Sequence, residues 1–215
     1  MLDLYLLRHA ESQSNLNHHL IGGRSNETPL SPLGEFQALW LGERLRAEDI
    51  KFDQVYSSTA VRTQQTAKIV CKQTGYPLEK ILYSEKLQEL DQGEWEGKPR
   101  NQIYTPETLA KINKDNWNFT PPNGESQRDV EERMYSWIED NVLANYYQTQ
   151  HTVGVFTHGL AIKCLLRKIM GSNPAMTYKI VLDNTSITKI SYSQNGWHLV
   201  KVNDAAHLDF DFIIR

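Results

Sequence analysis

Two hydrophobic periods alternate along this chain, short apolar runs of strand length and longer stripes at helical spacing. Leu2 to Leu7 is a compact run that stops at Arg8-His9-Ala10-Glu11-Ser12, a buried strand delivering polar residues at its C-terminal end. A loop from His18 to Pro29 with Gly22-Gly23 leads to Ser31-Pro32, a cap followed by proline at the first helical position. Leu33, Phe36, Leu39, Trp40 and Leu45 recur behind it and predict a helix ending near Ala47. Asp53 to Ser58 predicts a second strand feeding a helix from about Ala60 to Thr74, with Gly75 placed to stop it. From Tyr83 to Gly124 periodicity fades and Gly, Pro and Trp mix with charge, which predicts a cap or lid. Ser126 and Asp129 make a capping-box pattern before an amphipathic helix through Val130, Met134, Trp137, Ile138 and Val142. Thr152 to Phe156 predicts a third strand, running through Thr157-His158-Gly159 into a helix from Leu160 to Met170 closed by Gly171. Ser186 to Tyr192 and Trp197 to Val202 flank Asn195-Gly196 as a hairpin.

Strands alternating with helices predict an α/β fold: a three-layer α/β/α sandwich with a mainly parallel mixed sheet, an antiparallel edge from the terminal hairpin, and a small cap at about 93–124. With 215 residues the chain is at the upper end of single-domain size, and one domain over 1–215 is expected. No internal repeat is evident. Three strand ends carrying polar residues converge on one sheet edge, so Arg8, His9, Arg62 and His158 are expected to meet there, where open sheets place ligands. Two guanidinium forks, an imidazole and nearby helix N-terminal amides describe a cradle for phosphate or sulfate, and His158, if charged, adds a third donor group. No Gly-x-x-x-x-Gly-Lys-Ser/Thr loop is present.

Charge narrows the partners. Lys and Arg number 23 against 26 Asp and Glu, a net charge of -3, so anion recognition has to be local and neither nucleic acid nor an anionic membrane is an expected partner. No apolar run reaches the roughly 20 residues of a membrane span, and the acidic start Met1-Leu2-Asp3 has no basic region of a signal peptide, which makes a cytoplasmic location the expectation. Cys71 and Cys164 are distant and match no metal-ligand spacing. Both fall on apolar helix faces and are expected as buried, inert thiols.

The chain resembles the histidine phosphatase superfamily, which includes cofactor-dependent phosphoglycerate mutases. Leu7-Arg8-His9-Ala10-Glu11-Ser12 with Asn15 is similar to the Arg-His-Gly signature, alanine standing for glycine. The likeness continues through Pro29-Leu30-Ser31-Pro32-Leu33-Gly34, Tyr56 to Ala67, Leu87 to Gly97, Gly124-Glu125-Ser126 and Thr157-His158-Gly159, six blocks in the family's order. The resemblance implies that His9 attacks phosphorus in line and becomes a phosphohistidine, that Arg8, Arg62 and His158 hold the phosphoryl oxygens, and that Glu89 protonates the leaving alkoxide and then activates water. Asn15, Gly22 and Gly159 join Arg8, Arg62, Glu89 and His158 as substrate-binding positions. No metal and no cofactor are implied, since guanidinium groups and helix amides supply the positive charge. Surrounding cations are expected to keep His9 neutral, and Leu87, Leu90 and Trp95 to give Glu89 a poorly solvated setting.

Mutases of the superfamily carry a long insertion after the catalytic acid, with a Trp-Arg-Arg cluster that recognises the substrate carboxylate and the second phosphate. Between Glu94 and Glu125 the chain has only Lys98, Arg100, Lys111 and Lys114 as cations, so a second fixed anion site has weak support and the phosphatase branch is expected. Lys98 or Arg100 is a candidate contact for a substrate carboxylate. The resemblance leaves the substrate open among small phosphomonoesters, phosphoserine, sugar phosphates and α-ribazole phosphate. Mutase-type phosphoryl transfer and a non-catalytic phospho-ligand module are the alternatives, and a homodimer is left open. Taken singly, His9, Arg62, Glu89 and His158 have ordinary structural explanations; their joint spacing gives them weight. Glu11 and Ser12 read equally as substrate contacts or caps, and His18-His19 as a solvent-facing loop. Trp40, Trp137 and Trp197 read as core or interface, Trp95 and Trp117 as pocket walls.

Overall fold

The computed structural model describes residues 1–146 and 150–209; residues 147–149 and 210–215 of the span expected as one domain lie outside the described residues. In chain order the elements are β1 (Leu2–Arg8), α1 (Gln13–Leu16), α2 (Pro32–Ala47), β2 (Gln54–Ser58), α3 (Val61–Thr74), β3 (Leu82–Ser84), α4 (Arg100–Ile103) and α5 (Pro106–Lys114). There follow α6 (Gln127–Ile138), a π-helical turn at Glu139–Leu143, α7 (Ala144–Tyr146), β4 (His151–Thr157), α8 (Gly159–Met170), β5 (Ile187–Ser193) and β6 (Gly196–Asp204). The strands form one mixed sheet in the order β3-β2-β4-β1-β5-β6. β1 to β4 are mutually parallel, β5 runs antiparallel to β1, and β6 antiparallel to β5. This is the α/β sheet and antiparallel edge that the alternation of periods predicts.

The period of two along β1 sorts its side chains between two cores. Leu2, Leu4 and Leu6 join Val130, Met134 and Ile138 of α6 and Ile162, Leu165 and Leu166 of α8 on one face. Tyr5 and Leu7 join Leu41 and Leu45 of α2 and Ala67 and Val70 of α3 on the other. Both faces of the central strands are therefore covered, which is why Leu4–Leu7 is a continuous apolar run rather than an alternating one. Cys71 and Cys164 are buried in these two helix layers.

Caps fall where the sequence places them. Ser31 Oγ accepts from Gly34 N at 3.0 Å, Ser126 Oγ from Asp129 N at 3.1 Å, and Gly75 and Gly171 end α3 and α8 with φ of +77° and +59°. Glu11 acts at the start of α2: its carboxylate accepts from Ser31 Oγ at 2.6 Å. Gly34 is required there, since a Cβ on it would lie 1.9 Å from the Glu11 carbonyl oxygen.

Three details differ from expectation. Leu33 and Phe36 are exposed, at 46% and 56%, and the buried face of α2 is Gly34, Ala38, Leu41, Gly42 and Leu45. Small residues win that face because α2 lies close against α3; a Cβ on Gly42 would sit 2.8 Å from Gln73 Cβ. The edge strand β3 was not foreseen, being three residues long with Leu82 and Tyr83 exposed. The stretch from 83 to 124 is also more ordered than its fading periodicity suggests: α5 opens on Thr105-Pro106, with Thr105 Oγ1 accepting from Thr108 N at 3.2 Å.

Candidate active site

Arg8 is the last residue of β1 and pairs in register with Thr157, the last of β4, so His9 and His158 leave adjacent parallel strands side by side. The His9 backbone is held at both ends. Its N–H donates to Thr157 O at 3.0 Å, and its carbonyl accepts from Asn184 Nδ2 at 2.9 Å and Thr185 N at 3.3 Å. His158 caps α8, and Arg62 is the second residue of α3, directly beyond β2. Glu89 follows a 3-10 turn at Glu85–Leu87 and reaches the start of α8, where Leu160 N and Ala161 N each donate to its carboxylate at 3.0 Å. The four residues expected to converge do so, with Glu89 beside them.

The hydrogen bonds settle which nitrogen of His9 is unprotonated. Nδ1 lies 2.7 Å from the Ala10 carbonyl, which only accepts, so Nδ1 carries the proton and Nε2 bears the lone pair. Burial, and after it the charges of Arg62 and Arg8, hold this imidazole well below its ordinary pKa and therefore neutral. The expected cations contribute, but desolvation leads. His158 is different. Arg62 Nη2 donates to its Nδ1 at 3.1 Å, which puts the proton on Nε2, directed at Ser58 Oγ 2.9 Å away with Thr63 Oγ1 at 3.3 Å. Burial first, then the Arg62 charge, hold it well below its ordinary pKa and so neutral; the condition for a third donor group, a charged His158, is not met here, and the ring accepts from Arg62 instead.

Arg62 uses all five of its N–H groups within the protein. Nε donates to His9 Nε2 at 3.2 Å, Nη1 to the carbonyls of Arg24 and Ser25 at 2.8 Å each, and Nη2 to the Gly23 carbonyl at 3.3 Å and to His158. Burial pulls its pKa down to about 10, so it remains a cation near neutrality. The carbonyl-bearing loop is pinned in turn: Glu96 Oε1 accepts from Ser25 N and Oγ at 2.5 Å, and Arg24 pairs with Asp91 at 3.4 Å and Glu125 at 3.1 Å. Arg8 is less committed. Its Nη1 donates to Leu182 O at 2.6 Å, while its buried Nε has no partner among the described residues.

These side chains border a cavity of about 490 Å³. Arg8, His9, Arg62, Glu89, Asn15, Gly22 and Gly159 all line it; His158 does not, lying fully buried behind Arg62. Asn15 uses Oδ1 to accept from Ser12 N and Ser12 Oγ, both at 2.9 Å, which leaves its Nδ2 without a protein acceptor among the described residues.

The model of the histidine phosphatase superfamily, branch 1, matches residues 4–205. The chain belongs to this superfamily. A protein named "Probable phosphoglycerate mutase GpmB" from Yersinia enterocolitica is 30% identical over 97% of this chain and 96% of its own length. Among solved structures, Bacillus stearothermophilus YhfR superposes with a TM-score of 0.83 at 27% identity, covering 97% of this chain and 100% of that one. A phosphoserine phosphatase from Entamoeba histolytica, solved with phosphoserine, gives 0.82 at 25% identity, covering 97% and 100%.

Within this histidine phosphatase fold several lining groups escaped the sequence reading. Tyr104, Tyr178 and Lys163 border the cavity. Lys163 lies four residues past Gly159, one helical turn on the same face of α8, and that spacing was the available signal. Arg100 lines the cavity as anticipated, whereas Lys98 does not. Exposed His18 does line its mouth. Trp95 is not a wall of this cavity: it packs on Phe119 and Tyr104 at centroid distances of 5.5 and 6.1 Å and borders a smaller neighbouring one. Trp117 lies under the Arg128 guanidinium, 5.3 Å from its ring. Of the three apolar residues expected around Glu89, Leu90 lines the cavity with it, whereas Leu87 is in the core and Trp95 faces elsewhere; backbone amides hold its carboxylate.

Proposed function

We propose that the chain is a phosphomonoester hydrolase that works through a phosphohistidine at His9 without a metal ion, on small phosphorylated metabolites. The observation that carries this reading is the Nδ1–H bond from His9 to the Ala10 carbonyl, which leaves Nε2 unprotonated beside a cavity bordered by Arg8 and Arg62, its lone pair held by Arg62 Nε until substrate arrives. In the first step Nε2 forms a bond to phosphorus, the bond from phosphorus to the ester oxygen breaks, and Glu89 delivers a proton to the departing alkoxide. Arg8 and Asn15 Nδ2 bind the phosphoryl oxygens, and Arg62 releases loop carbonyls to share its N–H groups with them. In the second step water attacks phosphorus, Glu89 takes its proton, and His9 is regenerated as phosphate leaves. His158 acts as a positioning residue, holding Arg62 from behind. The segment 93–124 is the cap in this reading, with Arg100 and Tyr104 reaching the cavity.

The test is release of phosphate from p-nitrophenyl phosphate and a panel of alkyl phosphomonoesters in chelator, with His9→Ala as control. Hydrolysis lost in His9→Ala is expected. Glu89→Gln adds a sharper reading: p-nitrophenolate leaves without a proton, so that substrate gives a burst followed by slow turnover and accumulation of phosphoenzyme, while alkyl esters lose about 10²–10⁴-fold in kcat. Activity in His9→Ala equal to the parent would sink the proposal.

The likeness to a relative named as a phosphoglycerate mutase supports a second reading, transfer of the phosphoryl group back to substrate. Isomerisation of 3-phosphoglycerate primed by 2,3-bisphosphoglycerate, with little phosphate released, would establish it in place of hydrolysis.

A further inference from the structure

The turn between Leu182 and Ser186, ahead of β5, grips the backbone where Arg8 and His9 leave β1. Arg8 N donates to Ser186 O at 3.3 Å and Arg8 Nη1 to Leu182 O, while Thr185 N and Asn184 Nδ2 both donate to the His9 carbonyl. The other end of that peptide is fixed too, Ala10 N donating to Thr66 Oγ1 at 3.0 Å. Thr185 presents its N–H from a φ of +58°, a left-handed conformation that is unfavourable above all for a β-branched residue. The other non-glycine residues with positive φ among the described residues are Ser25, Asp49, Asn123 and Asn203, none of them buried; Thr185 is fully buried. Its hydroxyl holds it there. Oγ1 donates to Asn184 O at 2.7 Å and therefore accepts from His207 Nε2 at 2.9 Å. His207 is itself buried, on a 3-10 turn at Ala206–Leu208 beyond β6. Neither Thr185 nor His207 lines the cavity, so any effect of theirs on the reaction passes through His9.

We propose that Thr185, locked left-handed by His207, is a positioning residue for the nucleophile, closing with Asn184 a clamp that orients the His9–Ala10 peptide and through it the imidazole. Without the lock Thr185 relaxes toward negative φ, which turns its N–H away from the His9 carbonyl. The peptide then loses a buried donor, and the Ala10 carbonyl, one residue on, no longer stands in place for Nδ1–H. Once that acceptor moves, the proton can sit on Nε2, and that tautomer has no lone pair to attack phosphorus. Local strain of this kind persists only where its surroundings over-determine it, and here they converge on one imidazole. The inference rests on His9 being the nucleophile.

The test reads the tautomer of His9 and the kinetics together. NMR of protein labelled in the histidine ring nitrogens reports which nitrogen carries the proton, the His9 signals being assigned by their loss in His9→Gln. Hydrolysis of p-nitrophenyl phosphate is followed in the same proteins, below their unfolding temperatures. Thr185→Val and His207→Leu, which remove the hydroxyl and its donor, are expected to admit the Nε2–H tautomer and to lower kcat and kcat/KM together by about 10²-fold. Thr185→Ser and His207→Gln keep a hydroxyl and an N–H in those places and are expected to stay near the parent in both readouts. A lock that only stabilises the fold would lower Tm in Thr185→Val and leave the tautomer and kcat at the parent's values, and that result overturns the proposal. If Thr185→Val or His207→Leu does not fold, Asn184→Ala removes the clamp's other donor at a half-buried position; it is expected to move the tautomer and kcat the same way, and unchanged values refute the clamp. If the parent hydrolyses no ester, the hydrolase reading has failed by itself and the tautomer decides alone: a His9 proton that leaves Nδ1 in these variants supports the clamp, and one that stays there refutes it.

Discussion

Replacing Arg62 by lysine keeps the charge and removes the fork, and the consequences can be worked from its hydrogen bonds. Five N–H groups reach five acceptors; an ammonium offers three donors, so at least two acceptors lose their partner. The loop carbonyls are part-buried and regain water, so the net loss is about 1–3 kcal/mol. For a chain of this size that corresponds to a fall in Tm of roughly 2–10 °C. The kinetic effect is larger, because the same fork steadies His9 Nε2 and His158 Nδ1 together. Loss of one preorganised donor typically costs about 10²–10³ in kcat. The assay is steady-state hydrolysis of p-nitrophenyl phosphate at saturating ester, with thermal unfolding of the same samples. A kcat for Arg62→Lys within threefold of the parent would show that charge alone suffices, and the argument from fork geometry would fail whatever the Tm.

Three further outcomes concern stability. Burial, and after it the Arg44 charge, hold His207 down to about 4; its Nε2–H meets Thr185 Oγ1 at 2.9 Å and its Nδ1 has no partner among the described residues. Because the folded pKa is below the ordinary 6.5, the unfolded chain binds the proton first, and stability present above pH 6.5 declines as pH falls toward 4. His207→Gln should flatten that decline in urea midpoints, the remaining slope belonging to His9 and His158, which shift the same way; an unchanged slope would clear His207 of the effect. Glu131→Ala strands Arg167, whose side chain is 1% exposed and pairs with Glu131 at 2.8 Å, at a cost of about 3–5 kcal/mol, while Glu131→Leu with Arg167→Met together recovers most of it. If the double variant unfolds as easily as the single one in denaturant, the pair is more than a closed ion pair. Gly34→Ala forces a methyl group to 1.9 Å from the Glu11 carbonyl oxygen and should cost about 1–3 kcal/mol, read as a lowered urea midpoint; an unshifted midpoint would mean the α2 start gives way freely.

What the sequence discloses divides by the range of the interaction. β1, α3 and α8 are legible because their signals are local: an apolar run, a helical stripe, a capping residue, a glycine at the end. The meeting of Arg8, His9, Arg62 and His158 is also legible, since parallel strands with helical crossovers leave their C-terminal ends together. The buried face of α2 is not, because Leu33 and Phe36 are the more apolar side chains and only contact with α3 gives the face to Gly34, Ala38 and Gly42. The state of His158 is hidden for the same reason. Whether it donates to a ligand or accepts from Arg62 depends on Ser58 and Thr63 at the far side of its ring, and no spacing within Thr157-His158-Gly159 encodes them. Glu89 is the instructive intermediate case. Its apolar neighbours Leu87, Leu90 and Trp95 suggest a dry pocket; Leu90 does line the cavity, yet Leu87 goes to the core, Trp95 turns toward Phe119, and the carboxylate lands on the first amides of α8, some 70 residues away in the chain. Neighbours in sequence therefore fixed the position of the acid without fixing its surroundings.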